Sequence, residues 1–554
     1  MLSQPISSKE DRTLAHQTIR QLFHSRLDST TSDTNTLRIS AAAAAAPAAH
    51  ARTAPTAPHG KLGWAQRGGE HLHFTLAKAN KDTMEAVAFL AARLKVQPRA
   101  FRFAGTKDRR AVAVQRVSVF RVPADRLRAL NAALRGARLG GFKYERAGLV
   151  LGELRGNEFV IVLRDCGVPG GEGLRGEERV RNAEAVVAAA VSNLQEKGFI
   201  NYYGLQRFGS FSTSTDEIGK CLLKGDFKGA VDLILHKSPL ALAAAQGKDS
   251  TALVSSDDRN RALALDRWQS TGNAQQALEL MPRKYSAEIG LLRHLGVSKK
   301  GRNVNANDYQ GALLTIQRNL RLMYVHAYQS LVWNVVAGKR WELYGDNVIE
   351  GDLVIVEGKQ DLEEEVDADG EIIVKPEGDD RAANDEDYER ARPLSADETK
   401  SGKYSIFDVV LPLPGYDVVY PPNQIGAFYK EFMASERGGG LDPHDMRRKQ
   451  KDYSLSGGYR KLMARPAPGM TWEIKAYHDE NEQLVDTDLM KVEDEKVANP
   501  VESQHKSENG GGAERLAVIL RMQLGSSQYA TMALRELMKD GVKSYQADFG
   551  AGRE

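Results

Sequence analysis

The chain has 554 residues, 42% hydrophobic and 27% charged, a balance typical of globular enzymes and unlike fibrous or largely disordered proteins. At ~150 residues per domain, this length suggests roughly three or four domains. The formal net charge of +3 is too small to identify a binding partner, so charge has to be examined segment by segment.

Cysteine usage and hydropathy indicate the compartment. The only cysteines are Cys166 and Cys221, which excludes a disulfide framework and favours a reducing environment. No apolar run approaches the ~18 residues of a membrane span, and the first residues lack the apolar core of a signal peptide. We expect a soluble intracellular protein with no membrane partner.

The N-terminal third begins with an extension over residues 1–60. It comprises an amphipathic helix at 7–26, a polar turn, and a linker at 40–60 whose Ala- and Pro-rich composition cannot bury a core. An alternating strand follows at 71–76, and then a helix. The buried stripe of that helix should comprise Met84, Val87, Ala88, Ala91 and Leu94. The segments FRFAG and VAVQRVSVF predict two strands joined by the loop GTKDRR.

The remaining elements alternate in type. GNEFVIVLRD predicts a strand, and residues 184–198 predict a helix that ends at Gly198. From about 227 onward the pattern is largely helical, with extended pieces at GDLVIVEG and FDVVLPLPGYDVVYP. LAVILRMQL predicts a late strand and QYATMALRELMK a terminal helix.

Two segments have the composition of solvated loops. Residues 361–389 contain fourteen acidic residues against Lys375 and Arg381. HKSENGGGAE, residues 505–514, predicts a second flexible insertion. We expect neither segment to contribute to the core.

A basic segment surrounds one carboxylate. Between Arg93 and Arg121 there are nine Lys or Arg residues and one acid, Asp108, in the loop GTKDRR. The simplest interpretation is a solvated, self-paired turn. The functional alternative is that the cations bind phosphates while their field keeps Asp108 ionised and nucleophilic. Charge alone does not decide between the two.

NYYGLQRFGSF, residues 201–211, interleaves aromatic side chains with Asn201, Gln206 and Arg207. Aromatic faces, amides and a guanidinium are the groups that stack on bases, read base edges and bind phosphates in RNA. Core packing explains the aromatic residues equally well. The segment is therefore weak evidence when taken alone.

Other candidate sites have less support. His71 and His73 alternate onto one strand face, but no further ligand lies at a useful spacing, which disfavours zinc. The absence of a G-x-x-x-x-G-K-[ST] motif disfavours an ATPase or GTPase. The basic segments 445–453 and 457–466 could follow an RNA backbone or form solvated surface.

Several segments resemble one known family. AGTKDRRAVAVQ, INYYGLQRFG, AYQSLVWN and YATMALREL occur in the order and approximate spacing of TruD-type pseudouridine synthases. TSDTNTLRI, HFTLAKANKDTMEAV and DMRRKQKDYSLSGGYRKL further resemble the eukaryotic, fungal-like multisubstrate branch. Because these motifs are independent and spread along the chain, the resemblance favours the functional interpretation of Asp108.

The resemblance implies an α+β fold: a catalytic core with a mixed, mainly antiparallel sheet, interrupted by a mainly helical insertion domain. We expect the core at 61–226 and 466–554, and the insertion at 227–465. Implied too is the isomerisation of uridine to pseudouridine in tRNA, and in snRNA, rRNA and mRNA. We expect no metal, nucleotide or redox cofactor, a monomer, and location in the nucleus and cytoplasm.

The same resemblance assigns roles to individual residues. Asp108 matches the catalytic aspartate, Asn201 should position it or the base, and Tyr203 and Tyr529 should line the uracil pocket. The substrate-binding set is completed by Lys107, Arg109, Gln206 and Arg207. The competing hypothesis is a non-catalytic RNA-binding or RNA-chaperone protein on a synthase scaffold.

The chain departs from the family pattern in two respects. Tyr203 and Tyr529 stand where bacterial relatives often have Phe. The family's early strand of the form Asp-Phe-x-Val-x-Glu, which supplies another pocket aromatic, is not found before residue 61. We therefore expect the chain to lack that strand and to be poorly active.

Overall fold

A computed structural model describes residues 2–6, 8–22, 27–32, 36–41, 63–209, 213–248, 254–296, 305–356, 365–366, 372–373, 391–479, 481–494 and 515–539. Nearly all of the expected linker, most of the acidic segment 361–389 and the whole insertion 505–514 lie outside the described residues. The chain divides into two compact units, Met1–Gly63 and Trp64–Glu554.

The first unit is a three-stranded antiparallel sheet of order β1-β3-β2 with one helix. Its elements are β1 (Leu2–Pro5), α1 (Lys9–Leu22), β2 (Leu27–Thr31) and β3 (Thr36–Ala41). The sequence predicted the helix but not the strands. His16 joins helix to sheet, with Nδ1 2.6 Å from Ser29 Oγ and Nε2 2.9 Å from Thr31 Oγ1.

The second unit starts with a four-stranded antiparallel sheet of order β5-β6-β4-β7, here called the first sheet. Its elements are α2 (Trp64–Arg67), β4 (His71–Ala79), α3 (Thr83–Leu94), β5 (Phe101–Phe103), β6 (Val112–Phe120), α4 (Ala124–Leu130) and β7 (Ala137–Glu145). Helices α3 and α4 cover one face, burying Leu72, Phe74 and Val117. This arrangement confirms the predicted strands on either side of the GTKDRR loop.

The prediction for the buried stripe of helix α3 was right for Val87, Ala91 and Leu94 and wrong for Met84 and Ala88. Its buried side chains are Thr83, Ala86, Val87, Leu90, Ala91 and Leu94. Met84 is 50% exposed and Ala88 is also exposed, because the stripe that contacts the sheet follows i, i+3, i+4, i+7 from Thr83. The Asp82 carboxylate caps the helix by accepting from Met84 N at 2.7 Å.

Beyond the first sheet, β8 (Gly156–Leu163), α5 (Gly176–Lys197) and β9 (Phe199–Ile200) follow in order. Helix α5 ends before Gly198 as predicted, although it begins earlier than residue 184. Gly198 has φ +68°, and a Cβ there would lie 2.3 Å from Ala464 O. Only glycine therefore permits the close approach of β9 to its partner strand.

The middle of the chain is mainly helical, as expected. Its elements are α6 (Thr215–Lys224), α7 (Phe227–Ile234), α8 (Pro239–Ala245), α9 (Ser256–Thr271), α10 (Ala274–Leu280), α11 (Ser286–Leu295), α12 (Tyr309–Leu314), α13 (Arg318–Tyr344), β10 (Leu353–Ile355), β11 (Glu365–Val366), β12 (Ile372–Ile373), β13 (Ala391–Pro393), α14 (Ala396–Lys400), β14 (Val409–Leu413), α15 (Gln424–Ala434) and β15 (Gly458–Lys461). Strands β13-β10-β14-β15 form an antiparallel sheet beside α13.

Packing sets the start of this helical part earlier than residue 227. Tyr203, Ile218 and Leu222 belong to the same apolar cluster as Trp333 and Met463. Helix α6 packs along α13, which is the long central helix of this part. Residues between Asn201 and residue 227 therefore pack with the helices of the middle of the chain, although the insertion was expected to begin at residue 227.

The last elements complete a second sheet. They are β16 (Met463–Ala464), β17 (Thr471–Tyr477), α16 (Asp488–Asp494), β18 (Arg515–Gly525) and α17 (Ala530–Met538). Strands β17-β18-β8 are antiparallel, and β9 pairs with β16. One face of this second sheet packs on α5 and α17; we call the opposite face, which carries Val160, Ile519 and Arg521, its outer face.

Candidate active site

Asp108 lies in the connection between β5 and β6, as predicted, and its side chain is exposed together with those of Arg109 and Arg110. The connection begins at Ala104, whose carbonyl oxygen accepts from Gly152 N at 3.0 Å. A carboxylate beside two exposed guanidinium groups is available to a polyanionic ligand. Its position depends on how the backbone of the loop is held.

The side chain of Lys78, on β4, binds the backbone of the loop. Its side chain is 0% exposed, and Nζ donates to three carbonyl oxygens, those of Lys81 at 2.7 Å and of Lys107 and Asp108 at 3.0 Å each. Burial lowers the pKa of Lys78, and the negative charges of Asp82 and Asp108 partly oppose this effect. A buried ammonium group thus fixes the carbonyl of the candidate nucleophile itself.

A second set of contacts fixes the loop from α3 and β6. Thr83 Oγ1 accepts from Lys107 N at 3.1 Å and donates to Gln115 Oε1 at 2.9 Å. Gln115 Nε2 in turn donates to Gly105 O at 3.2 Å. Because both side chains are buried, these bonds define the backbone path of the loop on the N-terminal side of Asp108.

Lys107 connects the loop to the second sheet. Its Nζ donates to Asn157 Oδ1 at the start of β8. Burial lowers the pKa of Lys107, and the neighbouring Asp108 charge partly opposes the change. Asn157 pairs with Leu524 near the end of β18, so the Asp108 loop and the segment leading to Tyr529 meet at the same end of this sheet.

A second cluster is organised by Arg460, on β15. Its Nε donates to Asn201 O and its Nη2 to Asn201 Oδ1, both at 2.9 Å, and Nη2 also donates to Ser527 O at 2.8 Å. Asn201 Nδ2 donates to Lys461 O at 3.2 Å. Arg460 thus joins the INYYG segment, β15 and the turn before α17.

The same guanidinium lies on the aromatic residues predicted for the pocket. Arg460 Cζ is 4.0 Å from the centre of the Tyr203 ring and 5.9 Å from that of Tyr529. The two tyrosine rings are 6.2 Å apart at 63°. Gly204 permits this contact, because a Cβ there would lie 2.7 Å from Tyr529 Cδ1. Tyr203 is 3% exposed, whereas Tyr529 is only partly buried.

The other sequence candidates are placed differently. Gln206 is exposed in a short 3₁₀ turn, Leu205–Phe208. Arg207 is 4% exposed, and its Nε donates to Ser330 Oγ of α13 at 3.4 Å. The Arg207 guanidinium therefore lies inside the helical part of the protein, away from the surface on which phosphate binding was expected.

The basic segment 445–466 is only partly surface. Arg447 is exposed, with Cζ 4.1 Å from the Tyr416 ring centre. Arg448 donates from Nε to Leu223 O at 2.6 Å. Arg460, from the same segment, is 7% exposed. This segment therefore contains both surface cations and cations that hold the fold together.

The prediction overlooked Lys78 and Arg460. Lys78 had a signal in the sequence, because it continues the inward-facing series Leu72, Phe74 and Leu76 on β4, where a cation is unexpected. Arg460 had no such signal, since Asn201 and Ser527 are remote from it in sequence.

Among the described residues, no group of three His, Cys, Asp or Glu side chains could hold a metal ion, and no helix is long and apolar enough to cross a bilayer.

The arrangement offers an exposed carboxylate on a rigid loop, flanked by cations. At the same end of the second sheet lies a cluster of buried amide, guanidinium and aromatic groups. The carboxylate is suited to nucleophilic attack, and the aromatic cluster is suited to a planar heterocycle. Both groups are assembled from segments far apart in the chain.

Comparison with known proteins identifies the family. Residues 54–537 match the family described as tRNA pseudouridine synthase D (TruD). The chain is 38% identical over 547 residues to multisubstrate pseudouridine synthase 7 of Schizosaccharomyces pombe, covering 98% of this chain and 71% of that protein. It is 35% identical over 532 residues to the human pseudouridylate synthase 7 homolog, covering 96% of this chain and 67% of that protein.

A solved structure shares the fold. The crystal structure of a tRNA pseudouridine synthase D (TruD) from Methanosarcina mazei matches with a TM-score of 0.51 at 22% identity, covering 85% of this chain and 89% of that chain. This match supports the predicted α+β architecture. The family match over most of the sequence, together with the 38% identity to the fission yeast relative, shows that the chain belongs to the TruD family of pseudouridine synthases.

Proposed function

We propose that this protein isomerises selected uridines of RNA to pseudouridine, with the Asp108 carboxylate as the nucleophile. The observation that carries the proposal is the fixed loop. The Asp108 side chain is exposed, and its backbone carbonyl oxygen accepts from the buried Lys78 ammonium at 3.0 Å. A nucleophile that must reach a sugar carbon needs a backbone that does not move. The loop contacts supply that rigidity.

The chemistry requires the target uridine to leave its stack so that the carboxylate can reach it. The glycosidic bond between N1 and the ribose breaks, the uracil turns over, and C5 bonds to the same ribose carbon. Asp108 either attacks that carbon or assists formation of a glycal, and is regenerated when the new bond forms. The proton initially on C5 is released and N1 takes up a proton, so the product is an isomer of the substrate and the reaction needs no redox cofactor.

The uracil pocket is assigned to the cluster around Arg460. Tyr529, which is partly buried, presents the accessible aromatic surface. Tyr203 lies behind it, with the two ring planes at 63° to each other. The Asn201 amide accepts from Arg460 Nη2 through Oδ1 at 2.9 Å and donates from Nδ2 to Lys461 O at 3.2 Å, so its orientation is defined. Lys107 and Arg109 are assigned to the charges around Asp108 and the RNA phosphates.

We further propose that tRNA is a substrate, together with snRNA, rRNA and mRNA, that the enzyme acts as a monomer without metal or nucleotide, and that it works in nucleus and cytoplasm. The name of the fission yeast relative, a multisubstrate pseudouridine synthase, supports a broad RNA range. Sequencing after carbodiimide treatment of total RNA would define the range. Light scattering and cell fractionation would test the monomer and the locations.

The activity itself is tested by tritium release from RNA labelled at C5 of uridine. The wild-type protein should release tritium, and Asp108→Ala should release none while still binding RNA. Asp125→Ala is the matched control, because Asp125 is an exposed acid on α4 of the same sheet unit and should retain full activity. RNA binding by the wild type without any product would instead support the non-catalytic RNA-binding hypothesis.

A further inference from the structure

The outer face of the second sheet carries a cleft that the proposed reaction does not use. Its volume is about 550 Å³, and it lies between this face and residues 483–491 of the β17–β18 connection. Binding sites for small ligands typically have volumes of about 300–1,000 Å³. The cleft is therefore large enough to hold one nucleotide.

The wall of the cleft is held against the sheet. Leu484 is 6% exposed and packs with Val485 on Ile519 of the outer face. Lys475 Nζ donates to Leu484 O at 3.0 Å, which ties the backbone of the wall to β17. The cleft is thus bounded by two fixed surfaces, and a ligand would not have to order its wall on binding.

The cleft and the contact of the Asp108 loop share strand β8 but lie on opposite faces of it. Asn157, which accepts from Lys107, has the strand parity of Phe159 and Ile161 and faces the α5 and α17 side. Val160, which lines the cleft, is three residues further along, about 10 Å, on the outer face. Beyond the wall, α16 lies against β4 and β6, the strands that hold and follow the Asp108 loop. RNA seated at Asp108 can therefore place a neighbouring nucleotide in this cleft.

The chemistry of the lining matches an unpaired nucleotide. Val160 is 41% exposed and forms an apolar patch on which a base can lie. Arg521 and Lys491 are exposed cations at the cleft. Arg521 Nη1 donates to Glu158 Oε1 at 2.9 Å, and because this ion pair is exposed and weak, a phosphate can compete for the guanidinium. Gln483 and Asp486 add amide and carboxylate groups for base edges. Single-stranded RNA is recognised by this combination of groups.

We propose that this cleft binds an unpaired nucleotide that flanks the target uridine in the RNA substrate, with Arg521 at its phosphate and Gln483 at its base edge. The assignment rests on the proposed synthase function and extends it, because it gives the enzyme a means of choosing among uridines. The flipped uridine itself remains assigned to Asp108 and the Arg460 cluster.

The test compares Arg521→Gln with Arg181→Gln. Arg181 is an exposed arginine on α5, which covers the opposite face of the same sheet, so the two variants lose the same charge. The substrate is an RNA that the wild type modifies, used intact and shortened stepwise from its 5′ or its 3′ end. We measure kcat, KM and the dependence of kcat/KM on salt.

Shortening from one end should lower the wild-type kcat/KM by about ten-fold or more, the effect of losing one stacked base. Arg521→Gln should lower kcat/KM on the intact RNA by about ten-fold and reduce the log-log salt slope by roughly 0.7, one single-strand phosphate contact. On the shortened RNA, Arg521→Gln and wild type should be equal. Arg181→Gln should behave as wild type throughout.

The proposal would be overturned if shortening the RNA lowered kcat/KM of Arg521→Gln as much as that of wild type. It would also be overturned if Arg181→Gln lowered kcat/KM on the intact RNA as much as Arg521→Gln does. A second readout separates the two hypotheses. RNA with 4-thiouridine beside the target should crosslink within residues 483–491 of the Asp108→Asn variant. Crosslinking without any wild-type product would remove the synthase assignment but keep the RNA subsite. If the wild type forms product, no crosslink appears in residues 483–491, and Arg521→Gln has wild-type kinetics, the subsite is refuted and the synthase function is retained.

Discussion

Replacing Lys78 by methionine should uncouple the Asp108 loop from its sheet. The change keeps the apolar stem of the side chain but leaves three carbonyl oxygens, those of Lys81, Lys107 and Asp108, without their donor. An unpaired buried acceptor costs ~1–3 kcal/mol. Because the loop is at the surface and water can reach part of it, the low end applies, and the free energy of unfolding should fall by about 3 kcal/mol.

The loss of activity should exceed the loss of stability. A displacement of about 1 Å at a reacting group can cost roughly a hundred-fold in rate, so kcat of Lys78→Met should fall by about that factor. The RNA dissociation constant should change little, because Lys78 is 0% exposed and does not touch the RNA. Single-turnover pseudouridine formation and RNA binding would be measured below the lowered melting temperature.

The matched control is Lys81→Met. The Lys81 side chain is only half-buried, and Lys78 uses only its carbonyl oxygen, which the substitution preserves. Lys81→Met should therefore retain the wild-type kcat. A wild-type kcat in Lys78→Met, or equal losses in both variants, would refute the view that Lys78 positions Asp108.

Three further predictions concern charged groups. Arg460→Lys keeps the charge but loses the multiple hydrogen bonds of the guanidinium, so it should lower kcat by about ten-fold or more with little change in RNA affinity in single-turnover and binding assays. Burial tends to raise the pKa of Asp452, but its hydrogen bonds with Arg321 and a second arginine lower it overall. The Asp452 ion pair therefore stabilises the fold at pH values above the unfolded pKa of Asp452, near 3.8, and this stabilisation is lost as pH falls through the lower pKa of the folded state. Acid unfolding should therefore show a stability advantage of wild type over Asp452→Asn at neutral pH that shrinks at low pH. Arg447→Ala should flatten the salt dependence of RNA binding by roughly 0.7 in log-log slope, whereas Arg448→Ala, which loses a bond to a backbone carbonyl, should mainly lower the melting temperature.

Local patterns were sufficient for the strands around Asp108 and for the loop that presents it, but not for the three strands of the first unit. Alternation in HLHFTL and VAVQRVSVF predicted β4 and β6, and glycine at 198 predicted the end of α5. Met84 and Ala88 were wrongly assigned to the buried stripe of α3 because they counted as apolar, although both are exposed. Periodicity locates a helix well, but which stripe is buried depends on the surface against which it packs.

The candidate site could be predicted residue by residue only through the family resemblance. Nothing local shows that Asn201, Arg460 and Ser527 meet, because the contact depends on β15 and the end of β18 arriving together. Arg207 is a further case. It was predicted to bind substrate from its sequence neighbours, and its burial against Ser330 of α13 depends on a contact that those neighbours do not show. Contacts between distant segments decide both cases.

The measurement that tests the central claim most directly is pseudouridine formation by Asp108→Asn. The substitution keeps the size of the side chain and removes the carboxylate nucleophile, while the Lys78 bond to the backbone carbonyl of residue 108 is retained. We predict no pseudouridine in a single-turnover assay with enzyme in excess, at an RNA affinity within about three-fold of wild type. Measurable product from purified Asp108→Asn, confirmed intact by mass spectrometry, would contradict the assignment of Asp108 as nucleophile.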